Sequence, residues 1–147
     1  MRVSPLSAHE AALQNANLVV EIDHTDLTEA AANTAQTIPL FAVPANNVLV
    51  ECVRSELVVP FEDTSDTAHN STAVVVGDGG STNRLLTSTQ LNRNGTEVYE
   101  KAGTGTKHNY TSADTVDAVF TPNSADALAS LNKGKLKLYF QLNNRND

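Results

Sequence analysis

The chain has no tryptophan, one methionine, one cysteine (Cys52), three tyrosines and four phenylalanines in 147 residues. A single cysteine excludes an intramolecular disulfide and any zinc site built on several thiolates. So few rings leave little material for the aromatic platforms common in sugar-binding sites. Basic residues are also scarce. Ten Lys and Arg stand against 17 Asp and Glu, a formal charge of -7, which argues against nucleic-acid binding by phosphate neutralisation and against attraction to anionic membranes. No run approaches the eighteen or so apolar residues of a membrane span. The first seventeen residues lack the apolar stretch of a secretory signal, so the expected place of synthesis is the cytoplasm of the producing cell. In that setting the acceptor triplets Asn70-Ser71-Thr72, Asn94-Gly95-Thr96 and Asn109-Tyr110-Thr111 are read as by-products of abundant Asn and Thr.

The length suits one domain, and 40% hydrophobic with 18% charged residues is a globular composition. After Asn17, turn residues recur every few positions and cut the chain into short apolar runs, which predicts an all-β jelly-roll sandwich of about eight strands. The clearest strand is Leu136 to Leu142, where Leu136, Leu138, Phe140 and Leu142 alternate with Lys137, Tyr139 and Gln141, giving one apolar and one wet face. Other strands are predicted at 18–22, 38–42, 72–76, 84–91, 97–101 and 116–120. Over Val48 to Phe61 the apolar phase changes, from Val48, Val50 and Cys52 to Leu57, Val59 and Phe61. An odd shift predicts a bulge, or a bend that carries the chain to the other sheet. Helical turns are predicted at Asp26 to Ala32 and at Ser124 to Leu131. Residues 1–16, with Pro5 among scattered polar residues, read as an N-terminal arm outside a domain spanning 17–147. An arm that carries Val3, Leu6 and Leu13 has something to bind.

No catalytic constellation stands out. His9, His24, His69 and His108 are never at ligand spacing, no Gly-x-Ser-x-Gly occurs, and Cys52 lies in an apolar strand, unfavourable for a thiolate. Gly103-Thr104-Gly105-Thr106-Lys107 lacks the ending of a phosphate loop and reads as a flexible turn. The glycines of Val76-Gly77-Asp78-Gly79-Gly80 suit a tight reversal with positive φ. A calcium site there would need Asp63, Asp66 or Asn83 to approach Asp78. Carboxylate pairs for hydrolysis could be drawn from Glu51, Glu56, Asp63 or Glu97, as in any acidic protein.

A further pattern lies in the order of elements: Gln36-Thr37-Ile38-Pro39-Leu40 followed by Val43-Pro44-Ala45-Asn46-Asn47, then Phe61-Glu62-Asp63, a strand ending in Val76-Gly77-Asp78-Gly79, Ala113 to Phe120, and the closing Leu131 to Phe140. This order resembles the jelly-roll decoration, or cement, proteins of tailed-bacteriophage capsids. Ala45-Asn46-Asn47 departs from the family, which usually has an aliphatic residue followed by Gly at that turn. The resemblance implies a non-enzymatic structural virion protein, without cofactor or metal, that forms a homotrimer. It would bind the major capsid protein on the outside of an icosahedral head and stabilise that head. The residues assigned to capsid contact are Arg2, Val3, Leu6 and Leu13. The alternative is a carbohydrate- or receptor-binding jelly-roll module of a phage fibre or spike. Exposed aromatics or a calcium-dependent loop would favour it.

Overall fold

A computed structural model describes residues 1–95 and 97–145. Its strands are β1 (Arg2–Pro5), β2 (Leu18–Asp23), β3 (Gln36–Val43), β4 (Val48–Glu62), β5 (Thr72–Asp78), β6 (Ser81–Gln90), β7 (Glu100–Ala102), β8 (His108–Tyr110), β9 (Asp114–Pro122) and β10 (Lys133–Asn144). One helix, α1 (Ala8–Gln14), follows β1. The first sheet runs β1-β2-β10-β4-β7, with β8 also against β4, and the second runs β3-β9-β5-β6. All these strand pairs are antiparallel. From β2 onward the chain changes sheet at every connection except β5 to β6 and β7 to β8. The protein is therefore an all-β sandwich with the interleaved strand order of a jelly roll.

The alternation in β10 explains its place. Leu136, Leu138 and Phe140 are fully buried, and Leu138 lies opposite Val20 of β2 on one side and Ser55 of β4 on the other. Rings from both sheets close the core: Phe41 meets Phe140 edge-on at 5.0 Å, and Phe61 lies 6.2 Å from Phe120.

In β4 the phase change is a bulge. Tyr139 pairs with Arg54 and Phe140 with Cys52, leaving Val53 unopposed, so burial moves from Val50 and Cys52 to Ser55 and Leu57. A second irregularity leaves Val58 unopposed between Leu57 and Val59. It turns both valines to solvent, 42% and 39% exposed. The strand therefore stays in one sheet throughout, and Val59, expected inside, is outside.

Residues 1–16 are not detached from the sandwich. Arg2 to Pro5 pair with Glu21 to Leu18 as the edge of the first sheet. Ser7 and Glu10 then form a reciprocal cap that starts α1, and Asn15, at φ 52°, ends it. No residue of α1 is buried. Ala16 is fully buried, and the Asn17 side chain clamps β10, accepting from the Leu142 amide at 3.0 Å and donating to its carbonyl at 2.8 Å. The predicted helical turns shrink to 3-10 turns at His24–Asp26 and Leu128–Ser130. At the first, Asp23 accepts from the Thr25 amide and Asp26 from the Asp23 amide, so the cap forms three residues earlier than expected.

Candidate functional site

The four residues assigned to capsid contact do not form one surface. Arg2 pairs with Glu21, and strand alternation sends Val3 to the opposite face, beside the buried Val20. Leu6 is half-buried, its amide donating to the Asn17 carbonyl at 3.0 Å. Leu13, on the outside of α1, is 70% exposed.

The turn after β5 is a polar junction between the sheets. Among the described glycines, positive φ occurs at Gly95, Gly105 and Gly134 but at none of Gly77, Gly79 and Gly80. The need for glycine at 77 is closeness: a Cβ there would lie 2.0 Å from the Ser81 carbonyl oxygen. Asp78 is 2% exposed. One carboxylate oxygen accepts the Gly80 and Ser81 amides, both at 2.9 Å. The other accepts the Tyr110 hydroxyl at 2.7 Å and pairs with Arg84 Nε at 2.9 Å. Burial pushes this carboxyl up, but the Tyr110 hydroxyl, the two amides and the Arg84 charge outweigh it and hold it below its ordinary range. Burial first, then the same contact, pushes the Tyr110 hydroxyl up. Arg84 also donates to His108 Nδ1 at 2.7 Å, and the His108 ring meets Tyr110 edge-on at 4.5 Å. Asp63 and Asp66 cap their own turns at Ser65 and Ala68, and Asn83 accepts from Ser81. Asp78 is thus bonded by its own turn, Tyr110 and Arg84, and its neighbours are occupied elsewhere.

The Gly103 turn is fixed at its start, against the expectation of flexibility. Gly103 donates to the Val53 carbonyl at 3.0 Å, and a Cβ there would lie 1.8 Å from the Cys52 carbonyl oxygen. Thr104 donates to the Leu85 carbonyl through its amide and to the Arg84 carbonyl through its hydroxyl. This staples β4 to β6.

The other reactive groups are dispersed. Cys52 is buried, which together with the nearby Glu51 charge pushes its thiol up to about 12. Glu51 lies 3.9 Å from the Lys107 ammonium, Glu56 accepts the Tyr139 hydroxyl at 3.0 Å, and Glu97 accepts the Asn94 and Gly95 amides. His69 is buried between the Ser130 and Thr72 hydroxyls. Among the described residues no three His, Cys, Asp or Glu side chains gather as a cation site, and no helix is long and apolar enough to cross a membrane. Tyr139 carries the Arg54 guanidinium 4.0 Å above its ring. Among the described Phe and Tyr side chains only Tyr99 is exposed. Thr96 of the second acceptor triplet lies outside the described residues.

One feature went unseen in the sequence. The strands of the second sheet carry Asp78, Arg84, Asp114 and Asp117 but no Lys or Glu, whereas those of the first carry charges on nearly every strand. On the outer side of the second sheet, Thr37, Val119 and Val75 stand in one row and Pro39, Asp117 and Gly77 in the next. Asp117 is half-buried, and its carboxylate has no hydrogen bond or ion pair among the described residues. Neither cross-strand neighbour has a side-chain donor to offer. Burial first, then the charges of Asp114 and Asp78, push its carboxyl up. The register that sets Asp117 between a proline and a glycine exists only in the folded sheet.

No family model matches the chain, and no curated protein does. Among solved structures, the chain is similar to one described as the acidic stable capsid structure of Helicobacter pylori bacteriophage KHP30, at 19% identity and a TM-score of 0.47, over 83% of this chain and 91% of that chain.

Proposed function

We propose that the chain is a structural virion protein that binds the outside of an icosahedral phage capsid as a homotrimer, contacts the major capsid protein and stabilises the head. The observation that carries this reading is where the segments of the resemblance fall. Gln36 to Leu40 lies in β3, Phe61-Glu62 ends β4, Gly77-Asp78 ends β5, Ala113 to Phe120 enters and fills most of β9, and Leu131 to Phe140 leads into β10. These are the strands whose interleaving makes the sandwich. Asp78, His69 and Tyr139 are each tied to partners within the chain and so join strands and loops of the sandwich. The copy-to-copy contact is assigned to Val58 and Val59, the apolar residues of β4 that have no core role, with Val98 and Tyr99 also exposed. A closed threefold ring buries every copy of such a patch. The N-terminal segment, with Leu13 exposed, is kept as an attachment element. The sugar-binding alternative gains nothing from a lone exposed tyrosine. Light scattering at micromolar concentration tests the trimer, with an expected mass of about three times 15.7 kDa. Co-sedimentation with heads stripped of the protein tests the decoration. A persistent monomer that leaves stripped heads bare would overturn the reading.

A further inference from the structure

We propose that the outer face of the second sheet is the surface that meets the capsid shell, and that it fits a flat protein surface presenting one lysine or arginine to Asp117. This rests on the decoration reading and adds which side of the sandwich docks. Thr37, Pro39, Val75, Val119 and Thr121 give that face small or β-branched side chains, half-buried or exposed, with no cation among them. Depletion of charged side chains is one mark of interface cores. Asp117 stands in their midst. A half-buried carboxylate with no donor and no counter-ion within the chain is open to a cation from outside, and Pro39 and Gly77 across the sheet offer none. A partner's ammonium or guanidinium would supply the missing charge and donors at once.

A second copy of this chain is the competing occupant, which the solution mass distinguishes. Arg2, Arg54, Arg84, Arg93, Lys107 and Lys133 are each paired with a carboxylate, Lys101 donates to the Thr87 and Ser88 carbonyls, and Arg145 is exposed just past the end of β10. Lys135 and Lys137 lie on the central strand of the opposite sheet. Using them would set one face of the sandwich against the opposite face of the next copy, a heterologous contact that stays open unless its rotation closes a ring.

The test is co-sedimentation of the full chain with stripped heads of the phage that carries it, together with the solution mass and melting temperature of each variant. Asp117→Lys and Thr37→Glu are expected to weaken head binding by about tenfold or more, a loss of the size that follows from stranding or opposing an interfacial charge. Asp117→Asn is expected to bind more weakly while melting no lower than the parent, which separates docking from folding. Lys137→Glu, on the opposite face, is expected to bind like the parent. Parental binding by both Asp117→Lys and Thr37→Glu would overturn the docking face and leave the decoration reading standing. Failure of the parent protein itself to bind heads would overturn both. A changed oligomeric mass in Asp117→Lys would make the face a contact between copies and overturn the proposal.

Discussion

The Tyr110 hydroxyl donates to the Asp78 carboxylate at 2.7 Å, joining β8 of the first sheet to the end of β5 in the second. Both residues are buried, so this bond is shielded from water. Tyr110→Phe is expected to cost about 1.5 to 3 kcal/mol, the range for a hydrogen bond to a charged group, measured by denaturant unfolding. The acid limb carries the same signature. The Asp78 carboxyl is held below its ordinary range, so its stabilisation is complete above the unfolded value, near 4, and is lost as pH falls through the lower folded value. Asp78→Asn should therefore flatten the acid limb as well as lower stability at neutral pH. Asp117 has the opposite sign: its carboxyl is pushed up, its charge opposes folding at neutral pH, and Asp117→Asn should not destabilise.

Leu138 is fully buried at the centre of β10. Leu138→Asp should abolish cooperative folding, because a buried unpaired charge costs several kcal/mol against a total stability of about 5 to 15. Loss of the near-ultraviolet dichroism of the tyrosines checks it, and a variant that melts like the parent contradicts the strand's place.

Cys52 should be inert in the native protein. With its thiol pushed up to about 12 and its side chain buried in β4, almost no thiolate is present at neutral pH. A thiol reagent is expected to modify it only as fast as the domain opens, with full reaction in denaturant. Rapid labelling of the native protein would contradict this.

The strands were legible where side-chain period alone decides burial. Leu136, Leu138 and Phe140 announced β10, and the changed phase of β4 announced the bulge at Val53. A second bulge at Val58 was not legible, because it depends on how β10 opposes β4. β1 and β8 were missed for a related reason: Arg2–Pro5 and His108–Tyr110 are too short to show a period and become strands only against β2 and β4. Asp78 stood out in its glycine turn, but its partners Tyr110 and Arg84 come from other strands. Asp117 gave no signal at all, since its isolation is a property of its neighbours across the sheet.

The N-terminal segment should separate stability from attachment only in part. Deleting residues 1–14 removes no buried side chain but uncovers the edge of β2, a liability that favours association with other strands. The expected result is a melting temperature lower by a few degrees, the scale of about 1 kcal/mol in a domain of this size, and weakened attachment to heads. An unchanged melting temperature would show that β1 contributes nothing to the sheet.

The most direct measurement is a density map of stripped heads saturated with the protein. The account predicts added density on the outer surface in groups of three copies, with the sheet β3-β9-β5-β6 toward the shell and a lysine or arginine of the shell within hydrogen-bonding distance of Asp117. Heads that remain bare, or added density in which the β1-β2-β10-β4 sheet faces the shell, would contradict it.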